Sequence, residues 1–131
     1  MSERAWQPAG GGDEGGLDIP YSPMAMTDDH IFVSGQISLD ESGEIVADGF
    51  ASQARRVFAC LAAELARAGA SMDDVVHVTT YLVRREDFAE FNEAMAAAFT
   101  APYPARCTIR CDLIVPELLI EVSAVAVRRK A

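Results

Sequence analysis

Cationic residues are scarce in this 131-residue chain: 11 Lys and Arg stand against 20 Asp and Glu, a net charge of −9. Phosphate backbones are met by clustered cations, so the balance argues against a nucleic-acid partner. The small basic clusters, Arg55-Arg56, Arg84-Arg85 and Arg128-Arg129-Lys130, read as solvated surface. Long apolar runs are also missing. No stretch approaches the roughly 20 residues that span a bilayer, so no membrane partner is expected. The first residues lack the basic-then-apolar build of a signal peptide, and a cytoplasmic protein is expected. Two histidines, His30 and His77, are separated and lack ligand spacing, and no metal site is expected. The three cysteines, Cys60, Cys107 and Cys111, are too few for a disulfide scaffold. On an extended strand Cys107 and Cys111 would lie roughly 13 Å apart, too far for a bridge.

What remains suits one small domain. Half the residues are apolar, enough for a single core. Residues 1–16 contain Gly10-Gly11-Gly12-Asp13-Glu14-Gly15-Gly16, which packs no core, and read as a flexible leader before a domain at 17–131. Pro23 to Met26 is a short extended piece. Thr27-Asp28-Asp29-His30 is turn chemistry, and Ile31–Ile37 reads as a strand. Asp48 is placed to cap a helix from about Gly49 to Ala68, with Phe50, Ala54, Val57, Phe58, Leu61 and Leu65 on one stripe and Gly69 as its stop. Val75–Val83 is a β-branched strand. A second helix covers about Glu86 to Phe99, with Phe88, Phe91, Met95 and Phe99 facing inward, ended by Pro102 and Pro104. Arg106–Leu113 and Leu118–Val127 read as closing strands.

The order ββ-α-β-α-ββ, with hairpins at both ends, predicts an α+β fold: a mixed sheet with two helices on one face. Val75–Val83 and Val122–Val127 are apolar on both faces. The uncovered face is therefore expected to pack against other copies around a cyclic axis.

Two charged residues on the closing strands carry the chemistry. Arg106 suits two-pronged recognition of a carboxylate. Glu121 sits among apolar residues, where a carboxylate is either paired or poised to move protons. Alternation puts it on one face with Ser123, Val125 and Val127. Asn92 interrupts the apolar stripe of the second helix and needs a hydrogen-bond partner there. Gly35, mid-strand, marks a bulge or a close approach.

With these residues in view, the chain resembles the YjgF-like or Rid (reactive intermediate deaminase) family. The matching pieces are Asp18-Ile19-Pro20-Tyr21-Ser22-Pro23, Ile31-Phe32-Val33-Ser34-Gly35-Gln36-Ile37, Ala68-Gly69-Ala70-Ser71-Met72-Asp73-Asp74-Val75-Val76, Phe88-Ala89-Glu90-Phe91-Asn92, Pro104-Ala105-Arg106 and Ile120-Glu121-Val122-Ser123-Ala124-Val125-Ala126-Val127. The resemblance implies a chorismate-mutase-like fold and a homotrimer whose sheets form a central barrel, with clefts between subunits. Arg106 matches the family's carboxylate-binding arginine, and Glu121 the glutamate that holds or activates a water. Tyr21, Ser34, Gly35, Asn92 and Thr108 fall among the residues of the cleft. Many members carry cysteine where Thr108 stands; here the thiol is at Cys107, expected on the opposite face. Pro116 is displaced by one position.

The implied activity is hydrolysis of reactive 2-enamine or 2-imine acids, of the iminopropanoate and iminobutanoate type, to 2-keto acids and ammonia. In the family such species arise from pyridoxal-phosphate eliminations. An imine is already electrophilic, so no cofactor is expected. The same residues also fit a non-catalytic, small-carboxylate-binding trimer that regulates a partner. Sequence discriminates poorly between the two, although Glu121 favours catalysis, since a pure carboxylate binder gains nothing from a nearby negative charge. A ribonuclease reading is disfavoured by the net charge, the lack of a histidine pair and the lack of a basic groove.

Overall fold

A computed structural model describes residues 4–9 and 19–129. Two helices lie against one face of a six-stranded mixed sheet, an α+β arrangement. The strands are β1 (Gln7–Ala9), β2 (Met24–Met26), β3 (His30–Gln36), β4 (Val75–Leu82), β5 (Ala105–Arg110) and β6 (Ile120–Val127). The helices are α1 (Phe50–Arg67) and α2 (Phe88–Ala98). Strand order across the sheet is β1-β2-β3-β6-β4-β5. All neighbours are antiparallel except β4 and β5. A parallel pair requires a crossover connection, and α2 supplies it.

The helix stripe read from the sequence is the buried one: Phe50, Ala54, Val57, Phe58, Leu61 and Leu65 all face the sheet. They meet Ile31 and Val33 of β3, Val78 and Leu82 of β4, and Ile120, Val122, Ala124 and Ala126 of β6. Each large apolar side chain so enclosed contributes about 1.5–3 kcal/mol. Phe58 meets Phe99 edge to face, with ring centroids 5.7 Å apart, and so joins α1 to the end of α2. Gly69 stops α1 at φ +75°, and Ala70 N–H reaches back to the Leu65 carbonyl at 2.9 Å. That left-handed turn favours glycine.

Four expectations are corrected. Gln7–Ala9 pairs with Met24–Met26 as an edge strand, so part of the stretch read as a leader lies on the sheet. Residues 1–3 and 10–18, which hold the glycine run and the expected domain start, fall outside the described residues. Gly49, not Asp48, is the N-cap of α1; Asp48 instead accepts a 2.6 Å bond from the Ser52 hydroxyl. The last two strands form no hairpin, because β4 lies between β5 and β6. β6 is apolar enough to be buried in the middle, whereas β5, with Arg106, Thr108 and Arg110, suits an edge. Finally, Phe88 does not face the core but is 46% exposed.

Candidate functional site

The candidate residues fall into two groups, one on each face of the sheet. In the parallel β4–β5 pair, Arg106 stands beside Val78 and Thr108 beside Thr80. Val78 and Thr80 are fully buried on the helix-covered face, so Arg106 and Thr108 share that face. Cys107 stands beside Thr79 and takes the opposite face, as alternation required. The Arg106 guanidinium lies 5.2 Å from the Phe91 ring centroid and 5.6 Å from that of Phe88. These cation–π contacts hold the planar group in place while leaving its donors free. Among the described residues it makes no ion pair. Asn92 follows Phe88 by one turn on the same side of α2 and is half-buried. Thr80 and Thr108 carry buried hydroxyls without a hydrogen-bond partner among the described residues.

Glu121 belongs to the other face. It stands beside Tyr81 in the β4–β6 register, between the buried Ile120 and Val122. Burial alone raises its pKa above the usual carboxylate value. No hydrogen bond or ion pair holds it among the described residues. The β3–β6 register slips between Val33 and Gln36, and this bulge sets Gly35 against the Glu121 carboxylate. A β-carbon at Gly35 would come within 2.2 Å of Glu121 Oε2, so a side chain there displaces the carboxylate. Bulge and close approach thus coincide at Gly35.

Ser34 ties a loop to this end of β3. Its hydroxyl donates to the Ser22 carbonyl at 2.6 Å, and its N–H to the Pro23 carbonyl at 2.9 Å. Tyr21, next along that loop, is 65% exposed. Ser34 thus anchors the segment that carries Tyr21, and its hydroxyl proton is already committed.

Arg106 and Glu121 do not meet within one chain. β4 lies between their strands, and their register positions differ by three residues along the sheet. Their Cα atoms are thus roughly 14 Å apart, with side chains on opposite faces. The structure gathers Tyr21, Ser34, Gly35 and Glu121 around one end of β3 and β6. It gathers Arg106, Thr108 and Asn92 at the β5 edge beside α2. Phe88 and Thr80 join the second group without having been singled out as site residues. Thr80 had a signal: by alternation it is a hydroxyl in line with Val78 and Leu82, on the core side of an apolar strand. Among the described residues no cluster of three His, Cys, Asp or Glu is placed to hold a metal.

A model of the Endoribonuclease L-PSP family matches residues 17–128. The chain belongs to that family. A RutC family protein of Pyrococcus abyssi is 42% identical over 108 residues, covering 82% of this chain and 85% of the relative. The crystal structure of RidA from the Antarctic bacterium Psychrobacter sp. PAMC 21119 matches this L-PSP-family chain with a TM-score of 0.80 at 28% identity. That match covers 96% of this chain and 100% of the other. A YjgF family member from Neisseria meningitidis matches with a TM-score of 0.75 at 32% identity, covering 88% and 93%. The YjgF-like, Rid-family resemblance read from the sequence is therefore correct, and so is its fold.

Proposed function

We propose that this protein hydrolyses 2-enamine and 2-imine acids to 2-keto acids and ammonia, in sites built between copies of the chain. One observation carries the reading: an arginine held on two aromatic rings and a desolvated carboxylate, neither with an ionic partner among the described residues, lie on opposite faces of one chain. Both charges serve one ligand only if a second copy brings its own Glu121 to the first copy's Arg106. The uncovered sheet face supports such assembly, since Phe32, Ile109 and Val127 on it are exposed. A ring of three copies is the arrangement that the family resemblance suggests.

Arg106 holds the substrate carboxylate in two-pronged fashion and so fixes the C2 carbon. Tyr21, the Gly35 backbone, Asn92 and Thr108 line the cleft. A water held by Glu121 attacks C2 of the C=N bond. Glu121 takes the water's proton as the C–O bond forms and returns it to the imine nitrogen, giving a carbinolamine. Glu121 then takes the carbinolamine's hydroxyl proton and passes it to the nitrogen as the C–N bond breaks, so ammonia departs, the 2-keto acid remains and the carboxylate is regenerated. An enamine first tautomerises to the imine, gaining a proton at C3 and losing one from nitrogen. A carboxyl with a raised pKa accepts and returns protons near neutral pH better than an ordinary one. The nucleolytic activity in the family's name suits this chain poorly, because its net charge of −9 opposes phosphate binding.

A coupled assay tests the proposal. An amino-acid oxidase supplies imino acids, semicarbazide traps the survivors, and semicarbazone loss reports hydrolysis. Acceleration that disappears in Arg106→Ala is expected. Folded, oligomeric protein that accelerates no imine, yet binds keto acids through Arg106, would replace the deaminase with a carboxylate-binding module.

A further inference from the structure

On the helix-covered face, side chains form rows across β6, β4 and β5. One row reads Ala124–Val78–Arg106 and the next Val122–Thr80–Thr108. The first is apolar up to the edge, where the arginine emerges. The second replaces two apolar positions with hydroxyls. Thr80 is fully buried, and among the described residues neither its Oγ1 nor that of Thr108 has a hydrogen-bond partner. A buried hydroxyl without a partner is destabilising, so its presence at a core position calls for a use. Within the sheet, Thr80 has few possible partners. Val122 stands on one side of it in the row, and Val78 and Leu82 flank it on the same face of its strand. None of these side chains accepts a hydrogen bond. Thr108, on the neighbouring strand about 4.8 Å away, does.

We propose that Thr80 is a positioning residue for the carboxylate subsite, acting through Thr108. When a carboxylate occupies Arg106, the Thr108 hydroxyl donates to it and the Thr80 hydroxyl donates to Thr108 Oγ1. Each threonine needs only a rotation about χ1, and β-branched side chains have few alternatives there. The chain of two donors runs in one direction, from the core to the anion, and each bond polarises the next. Both hydroxyls are then satisfied in the bound state, whereas in the ligand-free chain neither has a partner among the described residues. That difference adds to anion binding without a second cation. It also accounts for a hydroxyl at Thr108 rather than an apolar residue. The inference rests on the deaminase reading of this site, and it adds a residue that never touches substrate.

Calorimetry with 2-oxobutanoate, together with imine hydrolysis, tests it on the assembled protein. Thr80→Val preserves shape and removes the buried hydroxyl. Its melting temperature is expected to equal or exceed that of the wild type, while Kd and KM rise about fivefold with kcat nearly unchanged. Thr80→Ser keeps the hydroxyl and is expected to bind like wild type. In a Thr108→Val background the Thr80→Val change is expected to add nothing. Should Thr80→Val not fold, Thr80→Ala against Thr80→Ser makes the same comparison. If Arg106→Ala abolishes binding but Thr80→Val binds like wild type, Thr80 is only a core residue and the proposal falls alone. Wild-type protein that neither binds the keto acid nor hydrolyses imines overturns the site reading and this inference together.

Discussion

Glu121 shows how one residue's placement sets both chemistry and stability. Its carboxyl has lost water without gaining a partner among the described residues, and burial alone raises its pKa. The folded state therefore holds this proton to higher pH than the unfolded chain does. Stability contributed at low pH falls as pH rises from the ordinary carboxylate range through the raised value. Glu121→Gln removes the buried charge but keeps the shape. Its turnover is expected to drop about a hundredfold or more, with keto-acid binding kept and a higher melting temperature at neutral pH. A melting temperature that falls instead would show that Glu121 has a stabilising partner in the assembly. Gly35→Ala tests the other side of the same contact. The added methyl would push the carboxylate aside, so kcat is expected to fall about tenfold or more with the fold intact by circular dichroism. Neither contact was legible residue by residue. Alternation gave the face of Glu121, but only the slip in the β3–β6 register brings Gly35 beneath it.

At the level of elements, the strands and helices followed their local signals closely. α1 was read as 49–68 and runs 50–67; β4 was read as 75–83 and runs 75–82. Hydrophobic period and glycine stops are local, so they survive without tertiary context. β1 had no such signal, because a three-residue edge strand is defined only by its neighbour. Phe88 was misread for a related reason. Helical spacing placed it with Phe91, but at the start of α2 its ring reaches past the core to the edge strand, where Arg106 covers it. The start of β4 is held by a buried carboxylate. Asp74 accepts from Arg129 and from Ser71 N–H, the latter at 2.9 Å, in a capping box. Burial pushes its pKa up, but the bonds from Arg129 and Ser71 outweigh it and hold the carboxyl below its usual value. A depressed carboxyl contributes stability above its unfolded pKa and loses it as pH falls through the folded value. Asp74→Ala is expected to cost about 1–2 kcal/mol at pH 7. In chemical denaturation the gap to wild type should begin to narrow below roughly pH 4 and shrink as pH falls further. A gap that stays constant as pH is lowered would mean that packing, rather than charge, holds this corner.

The whole molecule decides whether a site exists at all. If the cleft combines one copy's Arg106 with another copy's Glu121, two inactive proteins should rescue each other. Arg106→Ala and Glu121→Gln chains, unfolded and refolded together in equal amounts, are expected to recover about a quarter of wild-type activity, since one interface in four pairs two intact residues. No recovery from a mixture shown to contain hybrid assemblies would sink the shared-site reading. The sequence by itself determined the element order from β2 onward, the α+β class, the family, and the two residues on which the proposed chemistry rests. These are local patterns and residue types, readable along the chain. Tertiary structure alone decided that β6 enters between β3 and β4, that Arg106 and Glu121 face opposite sides, and that Thr80 stands beside Thr108. Each of these depends on strand order and register, which are set by how apolar faces pair across distant segments and leave no mark on any one of them.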